Sequence, residues 1–378
     1  MRVLLATTQF APELGGVPQL LWDFCRHRLE DIELRVLTVR QREATFYTSF
    51  DEHAPFPIER VAPHAPAGST SFDFARRLRE IVHEWKPAVI FSGVGYPTAI
   101  IVSGIAQLTG TPFVVYTHSE DVTIPNATKR RALSWALSRA AAVITVSDFT
   151  RRELARLNVA SERVVIIPPG IDLDRFEPSI YPFSLASLRS SWVLMTVGRL
   201  VWRKGQDTII RAMPEILKQV PNAHYLIVGD GPDARGLRSL TYQLRVAESV
   251  TFAGRVSDRD LPKYFFVCDA YVMPTRPSDD GSEVEGFGIV FLEAGAAGKP
   301  VIAGRAGGVA DAVVDGETGL LVDPTDVRAV TDAILRLATD SNLCRQLGRN
   351  GRKRVVNEFS VERFAMRITH LLTWASRK

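Results

Sequence analysis

The 378-residue sequence contains only three cysteines, which is too few for the framework of a disulfide-stabilised secreted domain. Cys25, Cys268 and Cys344 lie far apart and none belongs to a CxxC pair, so they predict neither a disulfide set nor a zinc site. The apolar run at the N-terminus covers only residues 3–6, which is shorter than the hydrophobic region of a signal peptide. These absences favour a reducing compartment, and we expect a cytoplasmic location.

The sequence also lacks a large excess of positive or negative residues. The 46 Lys and Arg residues against 42 Asp and Glu give a net charge of +4, which suits a phosphorylated ligand or an anionic surface without calling for nucleic acid as a partner. One stretch, residues 87–119, has no Asp, Glu, Lys or Arg at all. Prolines and glycines divide it into short segments, so it predicts the centre of a parallel sheet rather than a membrane span.

The length predicts two domains at about 150 residues each. Short apolar runs alternate with helical patterns along the chain, which indicates βαβ units and an α/β fold of two doubly wound, Rossmann-like domains facing across a cleft. The predicted strands span residues 3–6, 34–38, 88–92, 113–116, 142–146, 164–167, 193–197, 225–228, 250–252, 270–273 and 300–303. The predicted divisions are an N-terminal domain 1–176, a linker 177–190, a C-terminal domain 191–360, and a helix 361–378 that packs back on the first domain.

The turn after the first predicted strand contains Gly15 and Gly16 directly before a helix. Glycines at this position let backbone N–H groups approach an anion at the start of the helix. A tight turn between a strand and a helix explains the same two residues when they are taken alone.

A basic loop follows the first strand of the second domain. Arg199 and Lys204 are flanked there by Gly198 and Gly205. A guanidinium fork and an ammonium group at the two ends of one loop can close on a diphosphate. The alternative is a solvated basic loop, which leaves the two glycines unexplained.

A glycine-punctuated loop then leads into an apolar helix that ends at Gly298. The amides of Phe287, Gly288 and Ile289 are expected to form an anion-binding nest at its start. Glu285 is predicted to lie before this helix and Glu293 about one turn inside it. Their eight-residue separation would span about 12 Å along a continuous helix, which is too far for a general acid/base pair. They fit better as acceptors for hydroxyl groups of a hexose and of a ribose, although Glu293 is also compatible with a paired carboxylate in the core.

Together these features resemble family 4 of the glycosyltransferases. The resemblance covers essentially the whole chain and rests on the early Gly-Gly turn, VGRLVWRKGQD at 197–207, GDGP at 229–232, the two glutamates and Gly307-Gly308. Members of this family are retaining, metal-independent enzymes of the GT-B fold. The run MPTRPSDDGSEVEGFGIVFLEA most closely resembles the phosphatidylinositol mannosyltransferases that use GDP-mannose.

The resemblance implies that the N-terminal domain binds the acceptor and the C-terminal domain binds the nucleotide sugar. It also implies roles for individual residues. Arg199 and Lys204 would bind the donor diphosphate and stabilise the departing nucleotide. Glu285, with the amides of residues 287–289, would hold the donor sugar, and Glu293 the ribose. In the first domain, Gly16 would approach a phosphate or the acceptor, and His118 would lie near the C6 hydroxyl of the sugar. Val256 would lie near the nucleotide base.

Some positions depart from the family pattern. The segment 307–311 reads Gly-Gly-Val-Ala-Asp where Gly-Gly-x-Pro-Glu is frequent. Asp279 and Asp280 suggest a DxD-like metal site, but a third ligand is missing and two cations are already available for the diphosphate, so no metal and no cofactor are expected. The donor is the only small molecule that the resemblance implies, with GDP-mannose favoured over UDP-sugars.

The acceptor is less well defined by the sequence. Residues 128–139 combine a basic cluster with Leu133, Leu137 and Trp135 in a helical pattern, which is typical of a helix on an anionic bilayer and also of an ordinary surface helix. We therefore expect a hexosyltransferase acting on a lipid-linked or glycan acceptor, at the inner face of the membrane if this helix binds it. The alternatives are a UDP-sugar-dependent transferase with a small soluble acceptor, a sugar-nucleotide epimerase or a phosphorylase of similar architecture, and a non-catalytic nucleotide-sugar-binding protein.

Overall fold

The computed structural model describes residues 1–63, 69–176, 188 and 190–378. The chain forms two compact units, of which the first comprises Met1–Gly170 with Val361–Lys378 and the second Ile171–Ser360. The boundary therefore lies at Gly170 and not after residue 176 as predicted. Residues 171–176 pack with the second unit, where Arg175 donates to the carbonyl of Asp258 at 2.9 Å. The predicted linker 177–190 lies outside the described residues, apart from 188 and 190.

The described part of the first unit contains a seven-stranded parallel sheet in the order β3-β2-β1-β4-β5-β6-β7. The strands are β1 (Arg2–Ala6), β2 (Glu33–Val39), β3 (Ile58–Val61), β4 (Val89–Ser92), β5 (Phe113–Thr117), β6 (Ala142–Thr145) and β7 (Val164–Ile166). All residues of β4, β5 and β6 are buried, because helices cover both faces of a parallel sheet. The segment without charges thus supplies two central strands.

Helices connect these strands. They are α1 (Gly16–His27), α2 (Thr45–Glu52), α3 (Ser69–Trp85), α4 (Thr98–Thr109), α5 (Ser119–Val122), α6 (Ala127–Leu137) and α7 (Asp148–Arg156). Gly110 ends α4 in the left-handed conformation, with φ of 70°.

The described part of the second unit contains a six-stranded parallel sheet in the order β10-β9-β8-β11-β12-β13. Its strands are β8 (Trp192–Val197), β9 (Ala223–Val228), β10 (Val250–Gly254), β11 (Ala270–Met273), β12 (Val301–Gly304) and β13 (Gly319–Val322). The helices are α8 (Gln206–Gln219), α9 (Ala234–Gln243), α10 (Leu261–Val267), α11 (Ile289–Ala296), α12 (Val309–Ala312), α13 (Val327–Thr339) and α14 (Ser341–Glu358).

The last helix, α15 (Val361–Ala375), lies in the first unit. Its buried Phe364 ring packs 6.3 Å from the ring of Tyr116 on β5, and Arg367 donates to the carbonyl of Ile166 at 2.6 Å. The C-terminus of the chain therefore helps to build the unit that the N-terminus begins. No helix in the described ranges is both long enough and apolar enough to cross a membrane.

Each sheet reverses its strand order once. The reversal lies between β1 and β4 in the first unit and between β8 and β11 in the second. In open α/β sheets the loops that follow the strands on the two sides of a reversal diverge and leave room for a ligand. These two positions therefore localise the candidate sites.

Candidate functional site

The loops after β8 and β11 are packed together at the reversal of the second sheet. The loop after β8 ends in a 3-10 turn, Trp202–Lys204, and Gly205 then adopts φ of 74° before α8. A Cβ atom on Gly205 would lie only 2.2 Å from the carbonyl oxygen of Pro274, so glycine is required for this approach. Gly205 therefore lies where the loops after β8 and β11 come into contact.

Lys204 and Glu285 form an ion pair between these loops. The Nζ of Lys204 lies 2.5 Å from Oε2 of Glu285, and the side chains are only 12% and 15% exposed. Arg203 contributes a second cation, with its Nη1 3.5 Å from the same oxygen, and its Nε pairs with Glu283 at 2.9 Å. A lysine and a glutamate that are 81 positions apart in the sequence thus form one charged centre.

The charge on Glu285 follows from these contacts. Burial by itself would raise the pKa of the carboxyl group, but the neighbouring Lys204 and Arg203 outweigh burial and hold the pKa below its ordinary value. Glu285 is therefore ionised at neutral pH and acts only as a hydrogen-bond acceptor.

The loop after β12 fixes the backbone of Glu285. Gly308 donates its N–H to the Glu285 carbonyl at 2.9 Å. Gly307 has φ of 57°, and a Cβ atom there would lie 2.2 Å from the same carbonyl oxygen. The departure from the family pattern at 309–311 thus leaves the two glycines in contact with Glu285.

Arg276, which was not predicted from the sequence, is a buried residue that joins the same loops. Its side chain is 5% exposed and donates to Asp207 at 2.6 Å and to Thr208 at 2.9 Å. Its guanidinium also stacks 3.8 Å from the ring centroid of Trp202, and its backbone N–H donates to the carbonyl of Arg203 at 2.8 Å. Because these partners are distant in sequence, no local pattern around Arg276 signals the role.

Arg199 stands apart from the ion pair. Its side chain is exposed, and no hydrogen bond or ion pair joins its guanidinium to another described residue. The start of α11 offers further donors, since no described residue accepts from the amide N–H of Phe287, Gly288 or Ile289. Gly288 permits this arrangement with φ of 91°.

The two glutamates do not share a helix. Because α11 begins at Ile289, Glu285 lies in the preceding loop, as predicted. Glu293 lies inside α11 and is 8% exposed. Val256 is half-buried in the loop after β10, at the edge of the sheet, away from β8 and β11.

Asp280 caps a local turn. Its Oδ1 accepts from the hydroxyls of Ser278 and Ser282, each at 2.7 Å, and from the N–H of Ser282 at 3.0 Å. These hydrogen bonds lower the pKa of Asp280 to about 2. Within the described ranges, no group of three or more His, Cys, Asp or Glu side chains is arranged to hold a metal ion.

At the reversal of the first sheet, the loop after β1 and helix α1 lie close to the loop after β4. Gly15 has φ of 149° and directly precedes α1, which begins at Gly16. A Cβ atom on Gly93, which follows β4, would lie 3.1 Å from the side chain of Thr7 after β1. The backbones of the two loops are therefore close to each other.

His118 follows β5 and faces the loop after β4. Its Nε2 lies 3.2 Å from the carbonyl of Gly93, and because a carbonyl only accepts, Nε2 carries the proton. Burial lowers the pKa of His118, against the opposing effect of Asp121. The ring is therefore neutral at neutral pH.

Asp121 positions this histidine and was not predicted. One carboxylate oxygen accepts from the backbone N–H of His118 at 2.9 Å, and the other accepts from the backbone N–H of Tyr96 at 2.8 Å. Asp121 thus connects the loops after β4 and β5. An acidic residue in the first turn of a short helix is the local signal that could have found it.

The structure brings the predicted residues together in separate groups. In the second unit, Lys204 contacts Glu285, and the nest at 287–289 follows in the same loop. In the first unit, the Gly15-Gly16 turn and His118 both lie after strands near the reversal, His118 after β5, the strand beside β4. In the second unit, the charged groups and the amides that have no acceptor among the described residues suit the binding of an anionic, hydroxyl-rich ligand.

Two family models match the chain in succession. The model described as Glycosyltransferase Family 4 matches residues 14–175, and the one described as Glycosyl transferases group 1 matches residues 180–354. The two matches correspond to the first and second units.

Relatives match the full length. A Mycobacterium tuberculosis protein named GDP-mannose-dependent alpha-(1-6)-phosphatidylinositol monomannoside mannosyltransferase is 34% identical over 382 residues, covering 98% of each chain. A Corynebacterium glutamicum protein named as the corresponding mannosyltransferase for a monoacylated substrate is 29% identical, covering 98% of this chain and 97% of its own.

Solved structures share the fold. Anabaena HepE, crystallised with UDP, has a TM-score of 0.83 at 22% identity and covers 99% of this chain, with all of its own chain matched. Sucrose-phosphate synthase from Thermosynechococcus elongatus has a TM-score of 0.80 at 25% identity, covering 99% of this chain and 98% of its own. The fold is therefore GT-B, as the resemblance implied.

Proposed function

The chain belongs to glycosyltransferase family 4 and is a hexosyltransferase, and from this premise we propose that it transfers mannose from GDP-mannose to a hydroxyl of a phosphatidylinositol mannoside or a related lipid-linked acceptor. The observation that supports the substrates best is the 34% identity, over 98% of both chains, to a mannosyltransferase named for them.

In this proposal the second unit binds the donor. Lys204 and Arg199 contact the diphosphate, with Arg199 unpaired among the described residues and Lys204 held in position by Glu285. The cations offset the negative charge that grows on GDP as the bond to the sugar breaks, so no metal or other cofactor is needed. This is electrostatic stabilisation of a leaving group.

The sugar is held by acceptor and donor groups of the same loop. Glu285 is ionised and accepts hydrogen bonds from hydroxyls of the mannose, while the amide groups of Phe287, Gly288 and Ile289 donate to its oxygens. Glu293 accepts from the ribose diol. Val256 lies beside the base.

The first unit supplies the acceptor side in this proposal. Gly16 lets a phosphate or the acceptor approach the start of α1, and His118 lies near the C6 hydroxyl of the sugar. We propose a retaining reaction through an oxocarbenium-like state, in which the acceptor hydroxyl attacks the face from which GDP departs. No side chain serves as covalent nucleophile in this scheme.

A lipid-linked acceptor implies work at a membrane surface. We propose that the protein is cytoplasmic and makes a peripheral contact with the anionic inner face of the membrane through α6. The support is the basic cluster at the start of this helix, which packs on the first unit through its buried residues Leu133, Ala136 and Leu137.

The proposal is tested by incubating the protein in detergent with a phosphatidylinositol mannoside and with GDP-mannose, UDP-glucose or UDP-N-acetylglucosamine in turn. We expect GDP release coupled to a mannosylated lipid, and a higher melting temperature with GDP than with UDP. Lys204→Ala should abolish most of the transfer, whereas Lys218→Ala, on an exposed lysine of α8, should not. Release of UDP, an epimerised sugar nucleotide, or binding without turnover would contradict the proposal.

A further inference from the structure

An open pocket of about 450 Å³ lies in the first unit between α6 and the turn that follows α7. The hydroxyl of Ser134 on α6 donates to the carbonyl of Leu157 at 2.6 Å and fixes the two walls. Asn158 completes the turn with φ of 57°. The predicted site residues are not among those that line this pocket.

Four arginines line the pocket: Arg130, Arg131, Arg139 and Arg156. Arg156 pairs with Glu153 at 2.7 Å. Arg139 donates to the carbonyl of Trp135 at 3.0 Å, and in the described part of the chain neither it nor Arg130 nor Arg131 has a carboxylate partner. Three arginines without a carboxylate partner among the described residues therefore line one cavity.

The position of these charges on the helix is unfavourable without a ligand. Lys129 and Arg130 lie in the first turn of α6, which carries no acidic residue, and Arg131 follows directly. Cations at the start of a helix oppose its dipole, and neighbouring cations repel each other. Lys129 faces away, with its Nζ 5.1 Å from the ring centroid of Tyr96. An anion in the pocket would relieve the remaining repulsion.

Trp135 forms an apolar rim beside the arginines. It is 40% exposed, and the guanidinium of Arg139 lies 4.4 Å from its ring centroid. A tryptophan with one apolar face and a polar N–H is a side chain favoured at the boundary between water and lipid. The pocket thus combines donors for phosphate oxygens with a contact for lipid.

We propose that this pocket binds the phosphate of an anionic phospholipid headgroup. The inference rests on the proposed function, since a lipid acceptor requires the enzyme to dock at a bilayer. It assigns the membrane contact of α6 to a specific phosphate-binding site. Guanidinium groups bind phosphate oxygens through paired hydrogen bonds, which lysine cannot reproduce although it keeps the charge. Replacing arginine by lysine therefore distinguishes a specific phosphate-binding site from general electrostatic attraction to an anionic membrane.

The test is sedimentation with phosphatidylcholine vesicles that carry phosphatidic acid or phosphatidylserine at equal surface charge. We expect the wild type to favour phosphatidic acid by roughly tenfold, because its phosphate monoester is the more accessible. The triple change Arg130→Lys, Arg131→Lys, Arg139→Lys should remove that preference while leaving general binding to anionic vesicles. Equal binding of both lipids by the wild type, or an unchanged preference in the triple variant, would overturn the site.

The control removes the same number of positive charges at a different surface of the protein. Arg130→Gln, Arg131→Gln, Arg139→Gln should lower vesicle binding, whereas Arg235→Gln, Arg328→Gln, Arg349→Gln, on exposed arginines of the second unit, should not. Melting temperatures establish that each variant folds. If inositol phosphate in solution binds as tightly as the vesicles and displaces them, the ligand is soluble and the lipid proposal is wrong.

Failure of this site and failure of the proposed function are distinguishable. Transfer from GDP-mannose by the wild-type protein in neutral detergent needs no anionic vesicle and reports on the function alone. Transfer without a phosphatidic acid preference rejects only the pocket. A preference without transfer rejects only the activity.

Discussion

Lys204 and Glu285 hold each other at 2.5 Å across the reversal of the second sheet. Each side chain therefore reaches the candidate site with its partner already in place. Because both are more than four-fifths buried, their charges interact more strongly than those of a surface pair.

Removing either partner should reduce turnover without abolishing the fold. For Lys204→Ala and Glu285→Ala we expect kcat to fall by about a hundredfold or more, since each loses an interaction with developing charge or with the sugar. Steady-state kinetics with GDP-mannose measure the effect, and circular dichroism tests the fold. Near-normal turnover in either variant would remove that residue from the site.

The same pair predicts a pH dependence of stability. The pKa of Glu285 lies below its ordinary value of 4.5, so the stabilising contribution of the pair is present above that pH and is lost as pH falls through the lowered pKa. The melting temperature of Glu285→Gln should thus lie below that of the wild type at pH 7, and the difference should shrink in acid. A difference that grows in acid would contradict the assignment. Glu283→Gln, at a half-exposed carboxylate, should have a smaller effect at pH 7.

Arg276 should act as a positioning residue. Arg276→Lys removes the forked contact with Asp207 and Thr208 and the stacking on Trp202, and we expect a loss of about 2 kcal/mol in the free energy of unfolding. The KM for the donor should rise, because the loops that carry Lys204 and Glu285 are no longer fixed. The matched control is Arg305→Lys, in the exposed pair with Asp315, which should cost about 0.5 kcal/mol. Equal effects at the two positions would exclude a special role for Arg276.

Alanine variants of two glycines with similar backbone angles can distinguish the effect of backbone strain from the effect of moving Glu285. Gly307 and Gly316 have φ of 57° and 74°, but only at Gly307 would a Cβ meet an atom, the Glu285 carbonyl at 2.2 Å. Both alanine variants should lose about 1 kcal/mol of stability from the left-handed conformation. Only Gly307→Ala should also reduce transfer, by about tenfold or more, because it moves Glu285. Unchanged kinetics in Gly307→Ala would show that the loop tolerates the shift.

The central strands were predictable because burial on both faces requires uninterrupted apolar runs. Two edge strands were missed. The strand β3 contains Glu59 and Arg60 and is only half-buried, and β13 is four residues long and begins with Gly319. An edge strand meets a neighbour on one side only, so its sequence is less constrained.

The site was predictable where a motif is contiguous. Gly198 to Gly205 and Glu285 to Ile289 each lie within one loop, and their residue types alone indicate anion and sugar binding. Arg276 and Asp121 were missed, because each acts through groups brought to it from other loops.

The sequence by itself determined which side chains could carry the chemistry and which segments would be buried, since residue type and spacing set both. The tertiary structure alone decided the partners. Parallel strands end at a common edge, so the fold brings Lys204 and Glu285 within 2.5 Å over 81 positions of chain. The fold also places the members of one basic cluster in different surroundings. Lys129 lies over the ring of Tyr96, whereas the neighbouring arginines line a separate pocket. That division depends on the direction each side chain takes from the helix, which a count of charges does not contain.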